Sequence, residues 1–228
     1  MTAAGNSETM PLRHHLTRRL IQLYAGLISY GVSMALLIEA HLGLDPWDVF
    51  HQGISRRTGL RFGVVVIAVG VGVLLLWIPL RQRPGIGTIS NAIVIGLVVD
   101  AAVALLPTPH PWAARWAFLA GGIVLNGIAT GLYIGTRLGP GPRDGLMTGY
   151  AARHPRRSIR LIRTGIELTV LGIGFLLGGT VGWATLLYAV SIGPLVHLFI
   201  PLFTVAPPPA VPTHPTPTPM VATQPAPA

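Results

Sequence analysis

Six long apolar runs, each close to the roughly 20 residues that a helix needs to cross a bilayer, constrain this chain more than any other feature. Proline-containing breaks at Pro84 and at residues 107–111 separate some of them, because proline ends a helix at or before its predecessor. Only 10% of the residues are charged, too few to cover the surface of a soluble domain. The sequence therefore predicts an all-α integral membrane protein with six transmembrane helices, at approximately residues 17–41, 62–80, 85–106, 112–136, 159–179 and 182–203.

The charge distribution predicts how the chain lies in its membrane. The formal net charge is +9, and all 16 basic residues are arginine, which suggests a GC-rich bacterial genome. With the amino terminus inside, most arginines fall in cytoplasmic segments, as the positive-inside rule requires. We therefore expect a bacterial plasma-membrane protein that binds no nucleic acid and has both termini in the cytoplasm. Residues 1–16 would form a cytoplasmic amino-terminal segment, and residues 204–228 a disordered, proline-rich cytoplasmic tail.

The chain contains two versions of one element. LGLDPWDVFHQG at 42–53 follows the first apolar run, and LGPGPRDGLMTG at 138–149 follows the fourth. The match extends to GIGT at 85–88 and GWAT at 182–185. Three spans per copy is an odd number, so the second copy would enter the membrane from the opposite face. The sequence thus predicts two inverted-topology three-helix repeats, residues 17–106 and 112–203, an arrangement found in many secondary transporters.

Each copy of the element reads as a turn followed by a short helix, about residues 46–57 and 142–153. Pro46 suits the first position of a helix, and Asp45 before it is a good N-cap. Asp48 and Gln52 then share one helix face, and Asp144 and Thr148 share the corresponding face. Two interpretations stay open. The aspartates cap short interfacial helices, or the helices dip into the bundle and direct these four side chains towards one central cavity.

Other polar residues in the apolar runs also have two interpretations. Glu167, one turn after Arg163, would form an ion pair within its helix or act as a proton-relay or substrate carboxylate. The stripe Gly127, Gly131 and Gly135 suits close helix packing, within one chain or across a homo-oligomer. The chain has no cysteine and no recognisable nucleophile–base pair. We therefore expect no enzyme activity, no cofactor and no metal site, and no catalytic residues.

Three segments resemble a known group of proteins: LGLDPWDVFHQGISRRTGLRFG at 42–63, WIPLRQRPGIGT at 77–88 and GLYIGTRLGPGPRDGLMTG at 131–149. They are similar to the YczE-like (YczE/YyaS/YitT) family of bacterial integral membrane proteins, over about residues 18–203. HPRRS at 154–158 departs from the smaller glycine-containing turn expected there. The resemblance implies a multi-pass helical protein of the plasma membrane and implies no particular substrate or reaction.

The duplicated element favours one function over the others. We expect a small secondary transporter or exporter of a small organic molecule, in which Asp48, Gln52, Asp144, Thr148 and Glu167 bind substrate or couple its movement to protons. The alternative is a membrane scaffold or regulatory protein that docks a cytoplasmic partner through the basic segment at 153–163 and the proline-rich tail. Both interpretations place the protein in a lipid bilayer.

Overall fold

The computed structural model describes residues 15–154 and 156–205, so the expectations for the amino-terminal segment before residue 15 and the tail beyond residue 205 fall outside it. All regular structure in the described residues is helical. The helices are α1 (Leu16–Ala40), α2 (Pro46–Thr58), α3 (Phe62–Leu80), α4 (Ile86–Leu105), α5 (Trp112–Gly135), α6 (Pro142–Arg153), α7 (Ile159–Leu176) and α8 (Trp183–Phe203). These bounds agree closely with the predicted spans and short helices.

Within the described part of the chain, five helices are long and apolar enough to cross a membrane: α1, α3, α4, α5 and α8. The predicted fifth span, α7, is not among them because its 18 residues include Arg160, Arg163 and Glu167. Large apolar side chains such as Leu75, Leu97 and Leu198 lie exposed on the outside of the bundle. Exposed apolar surface on several helices is what a lipid-facing protein presents.

The centre of the bundle is the antiparallel pair α1 and α5. Arg19 near the start of α1 donates from Nε to the carbonyl of Thr136, just past the end of α5, at 2.8 Å. At the other end, Arg115 donates from Nε to the carbonyl of Ala40 at 2.8 Å. The two helices approach closely because Gly26 has no side chain: a Cβ there would lie 2.9 Å from the backbone nitrogen of Tyr133.

The glycine stripe of α5 packs against α8 of the same chain. A Cβ on Gly127 would lie 2.8 Å from Leu195 Cβ, and one on Gly131 would lie 2.8 Å from Phe199 Cβ. The stripe therefore serves helix packing within one chain, the first of the two interpretations.

Matching hydrogen bonds join each copy of the duplicated element to the other half of the chain. The carbonyl of Leu42 accepts from the amide of Ala184 at 2.9 Å, and the carbonyl of Leu138 accepts from the amide of Gly87 at 2.9 Å. The hydroxyl of Thr185 donates to the carbonyl of Leu44, two residues after Leu42, and the hydroxyl of Thr88 donates to that of Pro140, two residues after Leu138, each at 2.7 Å. Each loop thus satisfies the amide and threonine groups at the start of the last helix of the opposite half.

Each short helix likewise packs against the half of the chain to which it does not belong. α2 packs mainly against α7, and α6 packs mainly against α3. Asp45 is the N-cap of α2, as predicted, and its Oδ1 accepts from the amides of Trp47 at 2.9 Å and Asp48 at 3.2 Å. Trp77 of α3 donates from Nε1 to the carbonyl of Pro142 at 2.9 Å and so holds the first turn of α6.

Gly43→Ala is expected to destabilise the protein by about 3 kcal/mol or more, because it combines two penalties. Gly43 has φ of 101°, and an added Cβ would lie 2.5 Å from the backbone nitrogen of Gly182. Gly59 is the matched control: its φ is 73°, but nothing lies within 4 Å of an added Cβ. Gly59→Ala should cost about 1 kcal/mol. Thermal unfolding in detergent measures both; equal losses would contradict the close approach of Gly43 to α8.

Candidate functional site

The starts of the two short helices meet at one cavity. It is partly open to the surface and has a volume of about 50 Å³. Five helices line it, and α3 supplies an apolar wall of valines together with Gly70. The polar and aromatic lining residues are Tyr30 of α1, Trp47, Asp48 and His51 of α2, Asn91 of α4 and Arg143 of α6. An apolar wall with a few polar groups is the kind of lining that small-molecule sites have.

Asp45 joins the two copies of the element. Its Oδ1 caps α2 and also lies 3.7 Å from a terminal nitrogen of Arg143 in the second copy. Asp45 is 1% exposed, whereas the side chain of Arg143 is 26% exposed, so the pair joins a buried carboxyl to a partly exposed guanidinium. The guanidinium of Arg143 also stands over the ring of Tyr30, 5.4 Å from its centroid. The guanidinium of Arg143 therefore contacts both a carboxyl group and the face of an aromatic ring.

Asp48 lies about one helical turn before His51, another ionisable residue of the cavity wall. Its Oδ1 is 3.1 Å from Nδ1 of His51, and Asp48 is completely buried. The His51 ring touches the rings of Trp47, Phe50 and Phe62, whose centroids lie 6.0 to 6.5 Å away. An imidazole among aromatic rings is kept from water, so the hydrogen bond to Asp48 is its polar contact within this cluster.

Burial sets the charge of this group of side chains. It raises the pKa of Asp48, and it raises the pKa of Asp45 further with help from the neighbouring Asp48 carboxylate. Burial lowers the pKa of His51, although the Asp45 carboxylate opposes this. Both aspartates are thus shifted towards the protonated form and the histidine towards the neutral form. A carboxyl that gains and loses its proton closer to neutral pH than usual is suited to proton exchange.

Among the described residues, three buried polar atoms here have no partner while both aspartates are ionised: Oδ2 of Asp45, Oδ2 of Asp48 and Nε1 of Trp47. Protonation of one aspartate joins the two carboxyls by a hydrogen bond. Nearly all buried polar groups in folded proteins are paired, so an unpaired set at one cavity calls for an explanation. Two of the three residues, Trp47 and Asp48, line the cavity wall. The site therefore has unused capacity to accept and to donate hydrogen bonds.

The predicted convergence of four side chains on one cavity is only partly met. Asp48 lines the cavity, whereas Gln52, one turn further along α2, accepts from the amide of Thr180 at 2.7 Å and lines a separate pocket. Thr148 donates to the carbonyl of Asp144 in its own helix at 3.0 Å. Both side chains are turned away because each short helix docks on the opposite half, and this packing decides which face meets the cavity.

Asp144 and Glu167 each have a partner outside the cavity lining. Asp144 Oδ2 accepts from the hydroxyl of Tyr133 at 2.6 Å. Glu167 pairs with Arg163 at 2.9 Å across one helical turn, which is the simpler of the two interpretations offered for it. Arg163 interacts electrostatically with Asp144 as well, so the charges of α6 and α7 are connected.

A buried polar chain beside the cavity was not foreseen from the sequence. The hydroxyl of Tyr188 donates to Asn126 Oδ1 at 2.9 Å, and Asn126 Nδ2 donates to the Ser33 hydroxyl at 2.9 Å. Ser33 then donates to the carbonyl of Tyr30 at 2.6 Å. Tyr188 interacts electrostatically with Asp45 and other charged groups of the site. A lone asparagine inside an apolar run was the available signal, since such a residue needs partners within the bundle.

Among the described residues, no group of three histidine, aspartate and glutamate side chains is placed to hold a metal ion.

The chain is 41% identical over 170 residues to an uncharacterised protein of Haemophilus influenzae, covering 75% of this chain and 78% of the relative. No solved structure matches the chain.

Two further relatives come from Bacillus subtilis. The uncharacterised membrane protein YczE is 32% identical over 200 residues, covering 83% of this chain and 89% of YczE. The protein YyaS is 25% identical over 181 residues, covering 78% of this chain and 90% of YyaS. These matches confirm the resemblance to YczE and YyaS, and with it a location in a membrane. The model of the family of unknown function DUF6198 matches residues 17–201, and this chain belongs to that family.

Proposed function

We propose that the protein is a small secondary transporter, built from six membrane spans in two inverted-topology repeats, that moves a small organic molecule across the plasma membrane. One observation carries this proposal: the starts of α2 and α6, one from each copy of the element, meet at a cavity in the bundle. The Asp45–Arg143 pair joins them at 3.7 Å. Short helices from two repeats that meet at a central site are a recurring feature of secondary transporters.

The contacts between helices support the inverted arrangement. Because α1 and α5 are antiparallel, α2 and α6 follow them at opposite ends of the bundle. The matched hydrogen bonds of Leu42 and Leu138 relate the same two halves. α7 would be the sixth span, and the Arg163–Glu167 pair would reduce the cost of its charges in the bilayer.

Single-cysteine labelling tests this proposal, since the chain contains no native cysteine. Thr58→Cys at the exposed end of α2 and Ala152→Cys near the exposed end of α6 should react with an impermeant maleimide from opposite sides of the membrane. With both termini in the cytoplasm, position 58 lies outside and position 152 inside. Asn91→Cys, in the cavity wall, should react from each side in turn.

Each position answers a different question. Labelling of positions 58 and 152 from the same side would overturn the inverted repeat. Labelling of position 91 from one side alone, in every condition, would remove the alternating access that transport requires. That second result, with a partner retained in a pull-down of the intact protein, would favour the scaffold instead.

A further inference from the structure

The cavity holds two neighbouring buried carboxyls, Asp45 and Asp48, beside one guanidinium, that of Arg143. His51, the hydrogen-bond partner of Asp48, is shifted towards its neutral form because burial lowers its pKa. The side chains of Asp45 and Asp48 hydrogen-bond to each other when one of them carries a proton. When both are ionised, two carboxylates face the single guanidinium, and Oδ2 of each is buried without a donor. The pair therefore needs either a proton or a cation.

The surroundings of Asp48 favour an organic cation over a hydrated ion. The ring of Trp47 and the valine side chains of α3 form part of the same wall. A cation gains from an aromatic face, and an apolar body gains from an apolar wall. A protonated amine would also donate a charge-assisted hydrogen bond to a carboxylate oxygen, and so replace the proton that Asp45 and Asp48 share.

We propose that Asp48 holds either a proton or the ammonium group of a small amine with an apolar body, and that the cavity exchanges one for the other. This assignment of substrate class rests on the proposed transport function. When the protonated amine binds, the Asp48 carboxyl releases one proton to solvent and the ammonium ion pairs with the resulting carboxylate. The net charge of the site is the same before and after the exchange.

Several helices contribute titratable or polar groups to the surroundings of Asp48. α3 contributes only apolar side chains and a glycine to the cavity wall, and α4 contributes Asn91 as its polar group. α7, which packs on α2, carries Arg163, which interacts with Asp144 and Tyr188. The remaining groups that face the site are Asp45 and His51 beside Asp48, Arg143 of α6, Tyr30 of α1 and Tyr188 of α8.

Calorimetric titration of the detergent-purified full-length protein tests the proposal with three probes of similar shape. They are 2-phenylethylamine, which is cationic, phenylacetate, which is anionic, and 2-phenylethanol, which is neutral. We expect the amine to bind and to release up to about one proton, measured from the difference between two buffers of unlike ionisation enthalpy. At pH values below the pKa of the amine, the affinity of the protein for the amine should rise with pH. The neutral alcohol is the control for partition into the detergent micelle.

Variants separate the role of Asp48 from a general effect of buried acids. Asp48→Asn should weaken amine binding at least about tenfold and abolish proton release, whereas Asp48→Glu should retain both in part. Glu39→Gln is the matched control, because Glu39 is also buried but accepts from Thr108 at 2.6 Å, away from the cavity. It should bind like the wild type. Thermal melts of each variant check that the protein is folded.

Several results would overturn the assignment. These are equal amine binding by the wild type and Asp48→Asn, tighter binding of phenylacetate than of the amine, or no amine binding by the wild type at millimolar concentration. Transport by proteoliposomes is measured separately. Amine binding without transport would leave this inference standing and remove the proposed function, while transport of uncharged or anionic compounds alone would do the reverse.

Discussion

Asp48→Asn is expected to raise the free energy of unfolding by about 1–3 kcal/mol near pH 8 and to change it little near pH 4. The amide has the shape of the carboxylic acid and keeps an oxygen near His51 Nδ1, but it cannot ionise. At alkaline pH the wild type must hold Asp48 as a carboxylate next to Asp45, and burial opposes that ionisation. Thermal unfolding in detergent at the two pH values measures the difference.

The sign follows from the pKa of Asp48, which burial raises in the folded state. Between the ordinary pKa of an aspartate and this raised value, the folded protein binds more protons than the unfolded chain. Its stability therefore falls as pH rises through that range. The lowered pKa of His51 acts in the opposite direction, since stability then rises with pH, but the histidine is present in both proteins. Comparing the variant with the wild type therefore reports the loss of the Asp48 carboxyl, together with its effect on the neighbouring Asp45.

Asp48→Ala separates the loss of charge from the loss of a hydrogen bond. Alanine leaves His51 without its partner and opens a space, so this variant should be less stable than Asp48→Asn at both pH values. A lower stability of Asp48→Asn than of the wild type near pH 8 would mean that the carboxylate is compensated after all. Stabilisation by removal of a site residue is the usual relation between a functional site and the fold that carries it.

Helix positions were predictable because their physical causes are local. Apolar length determined the spans, prolines and glycines ended them, and Asp45 and Pro46 marked the start of α2 with the expected N-cap. The duplicated element was likewise visible in residue types and spacing. The groups that each copy contacts in the opposite half could not be predicted, because the contacts run through backbone carbonyls such as that of Leu42. Backbone groups are the same in every sequence and leave no signature there.

The site was predictable only in part for a related reason. A short helix with polar residues on several sides does not specify which face will meet a cavity. α2 docks on α7, which directs Gln52 to the amide of Thr180 and leaves Asp48 and His51 facing the cavity. The charge distribution indicated only membrane topology, and it did not indicate that Arg143 pairs with the buried Asp45. Pairing across the two repeats depends on the tertiary arrangement and could not be inferred from spacing within either copy.

The contact between Trp77 and Gly145 should give a large and specific coupling. Trp77 is 2% exposed, and its Nε1 donates to Pro142, so the ring cannot move aside easily. An added Cβ at position 145 would overlap Cζ2 of this ring. We therefore expect Gly145→Ala to destabilise the protein by about 3 kcal/mol, at the upper end of the usual cost of overpacking. The change would also displace the first turn of α6, which carries Arg143.

A double-mutant cycle with Trp77→Phe checks the cause. Phenylalanine lacks the outer ring carbons, so it loses the bond to Pro142 and some burial but makes room for a Cβ at position 145. The double variant should be more stable than the sum of the two single changes by about 1–2 kcal/mol. Gly72→Ala on the same α3 helix is the control, because nothing lies within 4 Å of its added Cβ, and it should be neutral or slightly stabilising. Additive losses in the cycle would mean that α6 does not rest on Trp77, and the approach of α6 to the cavity would then need another support.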